Sequence, residues 1–220
     1  MSHADTLLHD RFVPPSSASR VVALVVAVWL GLIAWLGAID AFAPPPGQPA
    51  LPLLAAVLGP IAIFFVAYRT SHRVRDLVLG ADVRLLTATQ AWRFGGFVFL
   101  ALYTYRVLPA YFAWPAGLGD MAVGITALSM LWRLERDPAF VASRGFAIWN
   151  ALGILDLVVA VSAGAVVPLI FPAAAQDIPT TALTRLPLVL VPGLFVPGFV
   201  ILHVIALIQR RAAAGVSLDR

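Results

Sequence analysis

The chain has 220 residues, 61% hydrophobic and 12% charged, with a mean hydropathy of +0.92 and a formal net charge of +4. An ordinary soluble domain is about 45–50% apolar and about 25% charged, so this balance excludes a soluble globular fold; it also excludes disorder, which needs low hydrophobicity. The chain has no cysteine, and all 15 basic residues are arginine, which excludes disulfides, thiolate chemistry and any Schiff-base lysine.

A transmembrane helix needs about 20 mostly apolar residues to cross a hydrocarbon core about 30 Å thick. Six runs approach or reach that length, at 21–42, 51–68, 91–110, 115–132, 145–167 and 186–209. The predicted fold is therefore an all-α, six-span membrane domain over 21–209, flanked by tails at 1–20 and 210–220. The first run is longer than the 7–15 residues of a signal-peptide core, which predicts an uncleaved anchor. After it, the proline-rich stretch 43–49 reads as a stiff, extended connector. Gly59-Pro60 predicts a break in the middle of the second run. Between the second and third runs, Val74, Leu77, Val78, Ala81 and Leu85 recur at helical spacing among Arg73, Arg75, Asp76, Asp82 and Arg84. This predicts one short amphipathic helix lying in the headgroup region.

Further along, Tyr111, Phe112 and Trp114 mark an outer aromatic turn before the fourth run. The stretch 171–185 is the longest outer connection. In the sixth run Pro192-Gly193 and Pro197-Gly198 predict a kinked or unwound outer half. Interrupted helices near the midplane are how many transporters build substrate sites.

Arginine sets the orientation, because cytoplasmic loops collect positive charge. Arg11, Arg20, Arg69, Arg73, Arg75, Arg84, Arg133, Arg136, Arg144, Arg210, Arg211 and Arg220 all fall on one side of a six-span topology. Only Arg106 and Arg185 fall on the other, and Arg93 lies within a run. Both termini are therefore expected in the cytoplasm. The high pI is accounted for by orientation towards a lipid bilayer, so nucleic acid is not an expected partner.

In so apolar a chain, polar groups inside the spans carry the information, since an intramembrane charge costs about 2.5–3.5 kcal/mol on insertion scales and normally has a partner. The candidates for an intramembrane polar network are Gln90, Arg93, Asp120, Asn150, Asp156 and His203. Counting about 1.5 Å per residue from the flanking arginines puts Gln90, Arg93, Asn150 and His203 in the inner third and Asp156 near the midplane. Asp156 is the expected counter-ion of Arg93. Asp120, in the outer half, is expected beside Arg106, Tyr103, Tyr105 or Tyr111. Asn150 and Asp156, six residues apart, do not share one narrow helix face, so no single partner is expected to engage both.

These residues support passage or sensing of a proton or small solute, with Arg93 as fixed charge, Asp156 as titratable carboxylate and His203 as relay, in a homo-oligomer. No enzyme motif is present, and no catalytic residue, metal or cofactor is expected. Two readings stand beside this one: a non-catalytic assembly or regulatory subunit, and a quinone- or haem-linked redox protein using His203 and Arg93.

The residues Gln90-Ala91-Trp92-Arg93, Leu108-Pro109 and Pro115-Ala116-Gly117-Leu118-Gly119-Asp120 resemble those of uncharacterised multi-pass bacterial membrane proteins. The likeness continues through Trp149-Asn150 and Asp156-Leu157 to Pro192, Pro197 and His203. It implies a bacterial inner-membrane setting and brings no assigned activity or catalytic residue.

Overall fold

The computed structural model describes residues 17–45, 48, 50–171 and 177–218. Most of the predicted N-terminal tail, parts of the 43–49 connector and of the 171–185 connection, and the end of the C-terminal tail lie outside the described residues. Among the described residues the fold is all-helical, without strands. The helices are α1 (Ser17–Ala38), α2 (Leu51–Thr70), α3 (His72–Gly80), α4 (Val83–Thr89), α5 (Phe97–Thr104), α6 (Ala110–Arg136), α7 (Arg144–Ala165), α8 (Val167–Ile170) and α9 (Val196–Leu218). A 3-10 turn, Gln90–Gly96, joins α4 to α5, and a π-helical turn, Val191–Phe195, leads into α9.

Among the described residues, five helical stretches are long and apolar enough to cross a membrane: Ser19–Ala38, Leu51–Thr70, Val83–Thr104, Arg144–Ile170 and Val191–Ala214. The longest single helix, α6, has 27 residues and carries Asp120 in its first half and Arg133, Glu135 and Arg136 at its end.

α6 is the centre of the bundle, packed against the Gln90–Gly96 turn, α5 and α7, while α9 packs on α7, α2 and α4. Small residues make the closest crossing. A Cβ at Gly117 would stand 3.1 Å from the Gly96 carbonyl oxygen, and one at Gly124 would run into the Phe94 backbone. Such residues let helix backbones approach where lipid offers no hydrophobic drive to associate. One apolar cluster, with Phe99, Leu108, Phe112 and Leu183, closes the bundle near the α5–α6 turn. A second, with Val123, Leu134, Phe146 and Ala206, closes it towards the other end. There Gln209 Nε2 donates to the carbonyls of Val78 and Ala81, each at 2.7 Å, and Arg210 Nε donates to Ser143 O at 3.3 Å.

Several expectations need correction. Gly59-Pro60 does not break its span: α2 runs continuously through Pro60. The missing N–H frees only one carbonyl, and membrane helices tolerate that loss. The amphipathic stretch is not one helix either. It stops at Gly80, and Asp82, whose carboxylate accepts from the Arg84 N–H at 2.9 Å, caps a new helix that continues into the third apolar stretch. Leu85 thus belongs to α4. In the sixth run, Pro197 and Gly198 fall in the first turn of α9 and do not interrupt it. The departure from α-geometry lies in the outer half of the run, as a turn over residues 186–189 and then the π-helical Val191–Phe195 around Pro192 and Gly193, where the Val196 N–H reaches back five residues to Val191 O.

Candidate functional site

The apolar clusters enclose a polar core built around one side chain. Arg93 projects from the 3-10 turn and is completely enclosed. Its Nε donates to Asp120 Oδ1 of α6 at 2.7 Å, and its Nη2 donates to Asp156 Oδ2 of α7. Its Nη1 donates to the Gly153 carbonyl at 3.1 Å and lies 3.2 Å from His203 Nε2 of α9. Four helical segments therefore meet on a single guanidinium, whose fixed fork of donors suits several acceptors at once.

The network also fixes the histidine. Arginine can only donate, so Nε2 accepts and the ring hydrogen is on Nδ1. Nδ1 then donates to Asn150 Oδ1 at 2.8 Å, and Asn150 Nδ2 donates to Phe146 O at 2.9 Å. Protonating Nε2 would lose its bond to Arg93 and set a second cation against it. His203 thus meets Arg93 through Nε2 and Asn150 through Nδ1. Trp149 meets the imidazole edge-on at 5.4 Å between centroids, held by a 2.9 Å bond from its Nε1 to Thr126 Oγ1.

Glycine supplies the room. A Cβ at Gly153 would overlap the His203 ring, one at Gly119 the Asp156 carboxylate, and one at Gly96 the Cβ of Asp120. On α7 the contributors Asn150, Gly153 and Asp156 recur every three residues, a row that winds slowly around the helix. The row explains how Asn150 and Asp156 join one network without sharing a partner: His203 takes the first and Arg93 the second.

The structure brings Arg93, Asp120, Asn150, Asp156 and His203 together directly. Gln90 stands one layer away, where its Nε2 donates to Phe199 O at 3.3 Å and the Phe199 ring covers Arg93 at 5.9 Å. The expected placement of Asp120 is corrected. Arg106, Tyr103 and Tyr105 are exposed, and Asp120 turns inward to Arg93 because Gly96 and Gly117 let α6 close on the 3-10 turn. Sequence reasoning did not single out Gly153, Phe199 or Thr126, and it named Trp149 only within a resemblance. The glycine three residues after Asn150 was the available signal.

Above the network lies a cavity of ≈ 160 Å³. Leu53, Val57, Phe99 and Leu157 give it apolar walls; Asp120, Thr180, Thr181 and Thr184 also line it, as does Pro192. The Arg93 side chain has no exposed surface, whereas Asp120 and Asp156 keep 16% and 14% of theirs. The carboxylates are thus the accessible side of the ion cluster.

Membrane-length apolar helices around an enclosed ion cluster define an α-helical membrane protein. More particularly, the chain belongs to the family described as a domain of unknown function, DUF8737, which it matches over residues 50–210. No curated protein and no solved structure gives a significant match to it.

Proposed function

We propose that the chain crosses the bilayer six times, with both ends cytoplasmic, and passes or senses a proton or small solute at the Arg93 network. α6, fourth in chain order, joins the five apolar stretches to make six spans. Its 27 residues extend about 40 Å at the helical rise, and its one mid-helix charge is paired inside the bundle. The distribution of arginine supports the orientation.

One observation carries the functional reading: a single guanidinium faces two carboxylates, and one of these, Asp120, opens onto a cavity. With both acids ionised the enclosed cluster holds one uncompensated negative charge, which is costly in so apolar a setting. A proton or a bound cationic solute balances it, and exchanging that partner is the means of passage or sensing.

The test is protein-dependent proton flux into liposomes loaded with a pH dye under an imposed membrane potential. The expected result is flux that is lost in Asp120→Asn. Flux unchanged in both Asp120→Asn and Asp156→Asn, with folded yields equal to the parent, overturns the reading.

A further inference from the structure

The cavity above the ion cluster has a chemical polarity that narrows what can occupy it. Its one charged lining group is the Asp120 carboxylate, which only accepts hydrogen bonds when ionised. Two of its threonines have already committed their hydroxyl hydrogens: Thr180 Oγ1 donates to Gly164 O at 2.9 Å, and Thr184 Oγ1 donates to Thr181 O at 2.8 Å. What these hydroxyls have left to offer is lone pairs. Gln48 and Thr181 are the other polar side chains of a wall that is otherwise mostly apolar, supplied by Leu54, Val57, Phe99, Leu157, Val161 and Leu183. An occupant must therefore bring hydrogen-bond donors at one end and an apolar body at the other, because an unmatched donor or acceptor in such a setting is expensive. Charge selects further. One positive charge beside Asp120 brings the cluster of Arg93, Asp120 and Asp156 to neutrality, while an anion would double the imbalance.

We propose that this cavity binds an amphiphilic monocation, a primary ammonium on a compact apolar body, with the ammonium on Asp120 and the body against Val57, Phe99 and Leu157. This names the solute class for the site proposed above and rests on that reading. The ammonium donates to the Asp120 carboxylate, and its charge replaces the proton that Asp120 would otherwise need. Pro192, in the π-helical turn, and Thr184, at the end of a further 3-10 turn over Thr180–Thr184, line the same cavity, so the irregular backbone leading into α9 borders the occupant.

The experiment is calorimetric titration of the full chain in mild detergent with hexylammonium, 1-hexanol and hexanoate, whose apolar chains match to within one methylene and whose heads differ in charge. Saturable hexylammonium binding is expected, with hexanol and hexanoate at least about tenfold weaker, and with Asp120→Asn reduced to the hexanol level. Ala160→Phe, which adds bulk to the cavity wall at a residue outside the ion cluster, is expected to abolish binding and keeps the test decisive if Asp120→Asn fails to fold. Equal binding of the three heads, or hexylammonium affinity unchanged in Asp120→Asn or in Ala160→Phe, overturns the proposal. No hexylammonium binding alongside Asp120-dependent proton flux removes the ammonium ligand and leaves the network reading standing. Loss of both removes both.

Discussion

α1 and α6 are opposites in composition and, contrary to the rule for soluble proteins, in burial as well. α1 is the most apolar of the membrane-length stretches, yet every side chain from Val21 to Val28 is exposed, and only a few residues such as Ile33 pack inward. α6 falls outside the five apolar stretches and forms the core, with Ala113, Ala116, Ala127 and Leu134 fully enclosed. In lipid, apolarity marks what faces the solvent, and small or polar residues mark what faces protein. The family match follows the same division: it begins at residue 50, taking in α6 and its partners and leaving α1 outside.

The most severe way to break that comparison is Arg93→Met. It leaves Asp120 and Asp156 buried together without their counter-charge, and removing one partner of a buried ion pair costs about 3–5 kcal/mol. Thermal unfolding in detergent should show the largest loss of any single substitution in the chain. The triple variant Arg93→Met, Asp120→Asn, Asp156→Asn should recover much of it, because replacing a whole buried cluster by neutral groups is close to neutral. A triple variant no more stable than Arg93→Met would mean that geometry, rather than charge, is what the cluster supplies.

Next in size is Gly153→Ala. The new methyl would overlap the His203 ring, and forcing extra volume into a packed interior costs about 1–3 kcal/mol. Asn150→Leu is milder: it removes the acceptor of the His203 Nδ1–H, and interhelical hydrogen bonds in membranes are worth about 0.6 kcal/mol on average, with a maximum of about 1.7. The same unfolding measurement ranks the two. An Asn150→Leu loss larger than that of Gly153→Ala would show that the imidazole depends on its hydrogen bond more than on its space.

How much of this was legible in sequence follows the same physics. Apolar runs disclosed the membrane-length helices because length and hydropathy are local properties. The rarity of polar groups in those runs picked out Arg93, Asp120, Asn150, Asp156 and His203, and the need of a buried guanidinium for an anion pointed to Asp156. Asp120 was sent to the wrong partners because depth along a helix axis says nothing of the direction in which a side chain turns; that direction comes from Gly96 and Gly117 letting two backbones meet. The prolines misled similarly. Pro60 reads as a breaker by local rules, but the lost hydrogen bond is tolerated in a helix whose remaining backbone bonds keep it continuous. Cavity and threonine lining were invisible, since they join residues from α2, α6, α7 and the 180–196 stretch.

The smallest expected effect belongs to α1 and sharpens the comparison from its other side. A Cβ at Gly31 meets nothing within 4 Å, and the residue is exposed. Alanine is favoured over glycine in a helix by about 0.8–1.0 kcal/mol in water-soluble hosts, so Gly31→Ala should leave the unfolding midpoint unchanged or raise it slightly. Six residues on, a Cβ at Gly37 would stand 2.8 Å from Val189 Cγ1, and Gly37→Ala should lower the midpoint. The pair separates the lipid-facing stretch of α1 from the short contact that ties it to the bundle. If Gly31→Ala were as damaging as Gly37→Ala, something other than lipid would have to cover that face. Measuring both variants at several protein concentrations would then show whether the cover is a second copy of this chain, because only a self-association loss shrinks as the concentration rises.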